Sequence, residues 1–196
     1  KAISINPTYA PALTNLGSIE LNTGNKKEAL SLLIKATESE PQLAPAWGNL
    51  ANGYFQLGKT TEAEVSTRKA IELDPSLCNS HFLLATILIR QKKLQDAEQS
   101  LRQTIKLKPN FFQAHLNLGA ILKDLGKLQE AEISYRKAIN LNPNFANAHS
   151  NLGNILKELG KFKEAEMSYR KAIDLNPDFA LAVSNLGNLL QEMGKP

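Results

Sequence analysis

Residues 112–145 read FQAHLNLGAILKDLGKLQEAEISYRKAINLNPNF, and residues 146–179 repeat them almost unchanged as ANAHSNLGNILKELGKFKEAEMSYRKAIDLNPDF. Each stretch is 34 residues long, and a proline stands three places before each start. Outward from this pair the spacing holds: Pro7, Pro41, Pro75, Pro109, Pro143 and Pro177 are all 34 residues apart. A spacing sustained through a whole chain is the signature of a repeat array. Full units then run 10–43, 44–77, 78–111, 112–145 and 146–179. Residues 1–9 read as the end of a preceding unit and 180–196 as the first helix of a further one.

Each unit reads as two helices. The first is expected over roughly 10–23, 44–57, 78–91, 112–125, 146–159 and 180–193. Thr8, Gln42, Ser76, Asn110, Asn144 or Asp178 follows each proline, and five of these six side chains are of the type that caps a helix start. Gly24, Gly58, Gly126, Gly160 and Gly194 suit the left-handed residue that ends a helix. Acids open the second helix (Glu28, Glu62, Asp96, Glu130, Glu164). Bases close it (Arg68, Lys69, Arg102, Arg136, Lys137, Arg170, Lys171), as the helix dipole favours.

Composition agrees. Of 196 residues, 31 are leucine and 22 alanine, while valine occurs twice. Strong helix formers dominate and strand formers are scarce, so a sheet protein is excluded. The single cysteine, Cys78, rules out a disulfide framework and a thiolate zinc cluster. No apolar run approaches the ~20 residues that span a bilayer, so no membrane insertion is expected. The absence of a signal peptide says little about compartment, and a cytoplasmic setting is the default expectation.

Numbered from the start of each unit, position 7 is Leu16, Leu50, Leu84, Leu118, Leu152 and Leu186, each followed by Gly or Ala. The second helix carries Ala29, Ala63, Ala97, Ala131 and Ala165, then Tyr135 and Tyr169, then Ala36, Ala70, Ala138 and Ala172. Small residues are needed where helices cross closely, and large ones fill the gaps. In period, helix count and these positions the chain resembles the tetratricopeptide repeat (TPR) family. Trp47, Leu50, Ala51 and Tyr54 come nearest to its opening W-x-x-L-G-x-x-Y. The resemblance covers the whole chain and implies an all-α, right-handed superhelical solenoid of stacked antiparallel helix hairpins, first helices on the concave face. Departures are Glu20 and Ser39 in the first unit, and Lys92 and Thr104 in the third, where a turn glycine and an alanine are expected. Lys1-Ala2-Ile3 matches Lys69-Ala70-Ile71, and Pro196 falls in the first turn of another second helix. Incomplete repeats at both ends imply end-to-end self-association.

Positions 2, 5–6, 9 and 12–13 share one side of the first helix by its 3.6 period. Asn15, Asn49, Asn117, Asn151 and Asn185 occupy position 6, interrupted by Leu83. Asn52, Asn154 and Asn188 occupy position 9, and Gln113 and Asn147 position 2. An amide offers donor and acceptor together and can hold a peptide group at both. Neighbouring first helices ~10 Å apart would meet about every third residue of an extended peptide rising ~3.3 Å per residue. The column resembles the asparagine ladder in the TPR arm of O-linked N-acetylglucosamine transferases. The alternative is that these amides only bond neighbouring backbone.

Other chemistries fare poorly. Position 5 is Thr14, Gly48, Phe82, Leu116, Ser150 and Ser184, so the lysine of a carboxylate clamp for acidic chain ends is lacking. His81, His115 and His149 sit one per repeat, too far apart to share an ion whose ligand bonds are ~2 Å. They read as structural side chains, and no metal or other cofactor is expected. Glu62 and Glu64 read as solvated acids on an exposed helix, without a pocket. Net charge is +4 for the chain, with the excess in residues 78–111. No continuous basic stripe tracks a phosphate backbone, so no nucleic acid is expected. Two readings of function remain. One is a non-catalytic scaffold binding an extended peptide or partner protein on its concave face. The other is a substrate-recruiting arm of a larger enzyme such as a glycosyltransferase.

Overall fold

The structure, a computed structural model, describes residues 7–194. The stub Lys1-Ala2-Ile3 and the terminal Pro196 lie outside the described residues. The chain divides into two compact units, residues 1–107 and 108–196. The first holds α1 (Ala10–Thr23), α2 (Lys26–Ser39), α3 (Ala44–Gln56), α4 (Thr60–Leu73), α5 (Cys78–Arg90) and α6 (Leu94–Leu107). The second holds α7 (Phe112–Asp124), α8 (Leu128–Leu141), α9 (Ala146–Glu158), α10 (Phe162–Leu175) and α11 (Ala180–Glu192). None of these helices is long and apolar enough to cross a membrane.

Inside each unit the helices α1 to α10 pack most closely on their hairpin partners, α1 on α2 and so on through α9 on α10, and α11 packs on α10. Each second helix then meets the first helix that follows it within its unit, and successive first helices touch (α1–α3, α3–α5, α7–α9, α9–α11). This is a stack of helix hairpins. Alanines make the close crossings: Ala29, Ala63, Ala97, Ala131 and Ala165 are fully buried, as are Ala36, Ala70, Ala138 and Ala172. Thr104, in the corresponding slot of the third hairpin, is also fully buried and donates its hydroxyl to Ser100 O at 2.8 Å. The helix ladder thus satisfies a polar atom that the core could not hold bare.

Size complementarity runs along the seam within each hairpin. A Cβ on Gly119 would stand 3.0 Å from the Tyr135 ring, and one on Gly153 would stand 2.6 Å from that of Tyr169. The glycine in the first helix is what admits the tyrosine in the second. Where the second helix carries only Thr67, the first carries Ala51.

Helix starts differ from expectation. The N-cap residues are Tyr9, Leu43, Leu77, Phe111, Phe145 and Phe179, none with a side-chain cap bond. Thr8, Gln42, Ser76, Asn110, Asn144 and Asp178 stand one residue too early. The cause is a tight turn around each proline. The Leu43 N–H donates to Glu40 O at 3.0 Å and the Leu77 N–H to Asp74 O at 3.3 Å, with Pro41 and Pro75 at the second turn position. Proline presets that dihedral, and the polar residue falls third in the turn. The fourth place then goes to an apolar residue, and Leu43 packs there against the cluster of Ala10, Leu13, Leu32, Ala36 and Ala46.

Helix ends follow the turn chemistry. Gly24, Gly58, Gly126, Gly160 and Gly194 all have positive φ. Lys92 takes the same conformation, φ 60°, without glycine's freedom. A side chain there costs roughly 1–2 kcal/mol.

Candidate peptide-binding face

Within the first unit, Asn15 is exposed, and Asn49 and Asn52 are half-buried. Within the second, Asn117, Asn151, Asn154 and Asn185 are half-buried and Asn188 is exposed. Their fates diverge. Asn154 Oδ1 accepts the Tyr169 hydroxyl at 2.7 Å and the Asn185 Nδ2 at 2.9 Å. This clasp links α9, α10 and α11, so the carbonyl of Asn154 and the amino group of Asn185 are spent within the protein. Asn117 and Asn151 make no side-chain hydrogen bond to another described residue. The two half-buried amides are therefore open to an outside partner. Burial pushes the Tyr169 hydroxyl up to about 12, with the Glu158 charge adding to it, so this donor stays protonated.

Each histidine is tied to the proline turn that leads into its own helix. His81, His115 and His149 place Nε2 at 2.9, 2.9 and 2.8 Å from the carbonyls of Pro75, Pro109 and Pro143. A carbonyl only accepts, so Nε2 carries the proton. Trp47 Nε1 does the same to Pro41 O at 2.9 Å. The slot selects a ring with an N–H at its far edge, which the 34-residue spacing displayed but did not explain.

Glu64 is not a solvated acid. Its side chain is 16% exposed; it pairs with Arg68 at 2.8 Å and accepts Gln91 Nε2 at 2.7 Å. The Gln91 bond, partly opposed by burial, holds its carboxyl below the ordinary value, with Arg68 and Lys93 adding to it. Glu132 has the same place in the second unit, bonded by Arg136 at 2.9 Å and by Lys161 of the next hairpin at 2.7 Å. Burial works to raise it, but the Lys161 and Arg136 bonds outweigh that and hold it low. These acids fasten neighbouring hairpins. Neither Glu62 nor Glu64 lines the cleft of about 380 Å³ beside α4, α5 and α6, whose walls include Arg68, His81, Leu84, Asp96, Gln99 and Gln103.

Farther along the first helices the two units differ. Lys123 pairs with Glu158 at 3.3 Å, and Lys157 with Glu192 at 2.7 Å. In the first unit α3 and α5 place Phe55 with Arg90 there, the guanidinium carbon 3.9 Å from the ring centroid.

Paired helices, alanine crossings and a repeated first-helix face define a helical solenoid of the TPR class. The chain belongs to the family described as the cilia and flagella-associated protein 70 C-terminal domain, a TPR family, which it matches over residues 1–186. No curated protein sequence matches it. Among solved structures it is similar to YrrB, described as "a TPR protein with an unusual peptide-binding site". That likeness has 26% identity and a TM-score of 0.83 over 94% of this chain and 95% of that one. PilF of Pseudomonas aeruginosa is 23% identical, with a TM-score of 0.80 over 95% and 85% of the two chains. MamA of Desulfovibrio magneticus is 20% identical, with a TM-score of 0.78 over 88% and 97%. The last two likenesses are likenesses of fold.

Proposed function

We propose that this chain is a non-catalytic protein-interaction module that holds an extended peptide segment against its first-helix face. The observation that carries the reading is the pair Asn117 and Asn151. They stand one per repeat, half-buried, with amides unbonded to the rest of the described protein. A polar group so placed recovers its desolvation cost when a ligand's backbone supplies the missing bonds. Asn185 extends the column, its Oδ1 left to accept while Asn154 fixes its orientation. The likeness to YrrB, for which a peptide-binding site is described, supports the same reading.

The test is the double variant Asn117→Ala with Asn151→Ala, which removes no bond internal to the described protein. Binding to peptides selected from a randomised 12-residue array should weaken by about 1–3 kcal/mol, since each lost amide strands backbone groups of the ligand. Helical content and urea midpoint should stay at wild-type values. Undiminished binding would remove the asparagine column as the site.

A further inference from the structure

Position 12 of one first helix and position 13 of the next form a lateral pair whose chemistry differs between the two units. In the second unit both pairs are Lys with Glu, so each cation is neutralised inside the protein. In the first unit the pair of α1 and α3 is Leu21 with Gln56, and that of α3 and α5 is Phe55 with Arg90. Neither α3 nor α5 contains an Asp or Glu, and Arg90 makes no ion pair with any described residue. A guanidinium stacked on a ring is oriented by it and loses water on one side. Its N–H donors are not used by that contact. Such a group is prepared for a carboxylate, which meets the fork of donors with two parallel bonds.

The same helix breaks the asparagine column. Leu83 stands at position 6 and Phe82 at position 5, both half-buried. Seven residues separate Leu83 from Arg90, two turns on one helix face, or ~10 Å along the axis. A peptide that crosses the first helices elsewhere and turns to run along α5 where the column is broken covers that distance in about three residues.

We propose that Arg90, braced by Phe55, reads an Asp or Glu side chain of an extended partner peptide. Leu83 and Phe82 take an apolar side chain about three residues away. This rests on the peptide-binding reading of the first-helix face, and it adds the composition of the ligand. The carboxylate is an internal side chain rather than a chain end.

The probe is an array of randomised 12-residue peptides with acetylated and amidated ends, beside a second array with free C-terminal carboxylates. Wild-type protein should retain amidated peptides enriched in Asp or Glu about three residues from Leu, Ile or Phe. With Arg90→Gln the acid enrichment should disappear, and a retained acidic peptide should bind about tenfold more weakly. Arg90→Glu should turn the enrichment towards Lys and Arg, and circular dichroism of both variants should match wild type. Acid enrichment that persists in Arg90→Glu overturns the proposal, as does enrichment confined to the free-carboxylate array. If wild-type protein retains no peptide, the peptide-binding reading itself falls and takes this one with it. If peptides are retained without acid preference, only the Arg90 assignment falls.

Discussion

In the hairpin of α1 and α2 the seam residues of the second helix are Leu30, Leu33 and Ile34. In the hairpins α7–α8 and α9–α10 the same positions hold Glu132, Tyr135 and Arg136, and Glu166, Tyr169 and Arg170. The first seam is apolar: Leu30 and Leu33 bury with Leu21, Ala29 and Leu50, and Ile34, Trp47 and Tyr54 pack around them. Space is conserved across the exchange. Position 10 of the following first helix is Ile87 after Glu64 and Ile155 after Glu132, but Gly53 after Leu30, whose Cδ2 would lie 2.9 Å from a Cβ on Gly53. Apolar packing is non-directional and indifferent to pH. The later seams are held by directed bonds, Lys161 to Glu132 and Tyr169 to Asn154, which fix register and answer to acid. One fold thus tolerates either chemistry, provided that volume is kept.

The largest test of this contrast is truncation in the second unit. Tyr169→Ala should cost about 3–5 kcal/mol in urea unfolding, since it empties the volume that Gly153 leaves open. Leu33→Ala should fall in the similar range of about 2–5 kcal/mol. The sharper control is Tyr169→Phe, which keeps the ring and loses only the bond to Asn154, at about 1 kcal/mol. A Phe variant as unstable as the Ala variant would show that the hydroxyl, not the ring, holds the seam.

An intermediate effect is expected from acid. The Glu132 carboxyl titrates below its ordinary value of 4.5 in the folded chain. Its stabilisation is present in full above that ordinary value and is lost as pH falls through the depressed one. Amide exchange, corrected for intrinsic rates, should show residues 112–175 opening more readily at pH 3.5 than at pH 6. The Leu30–Leu33–Ile34 seam should change less. Glu132→Gln should cost about 1–3 kcal/mol at pH 6 and flatten that acid response. Equal acid sensitivity of both seams would break the comparison.

The smallest expected effect is a gain. Lys92→Gly relieves a side chain held at φ 60° and should stabilise the first unit by about 1 kcal/mol, read as a raised urea midpoint. No gain would mean that contacts of Lys92 offset its backbone strain.

Much of the molecule was legible in sequence because repetition samples each packing environment several times. Alanine at one position in five hairpins identifies a close helix crossing, and the pairing of Gly119 with Tyr135 and Gly153 with Tyr169 shows as alternating small and large residues. The N-cap assignment failed because polar type alone was read, whereas the proline turn moves the apolar residue into that place. The solvated reading of Glu64 failed because its partners, Gln91 and Lys93, lie in the next hairpin, 27 and 29 residues away in sequence.

The sequence by itself determined the 34-residue period, the order of helices and the column in which the asparagines stand. These follow from local dihedral preference and from which side chains a helix crossing admits. Only the tertiary structure decided which column members are bonded: Asn154 and Asn185 clasp one another, while Asn117 and Asn151 make no side-chain bond to the described residues. It also decided that Lys123 meets a carboxylate where Phe55 meets a guanidinium. A helix period states which face a side chain occupies, but its partner is supplied by the neighbouring helix, and the two come within reach only when the hairpins are stacked.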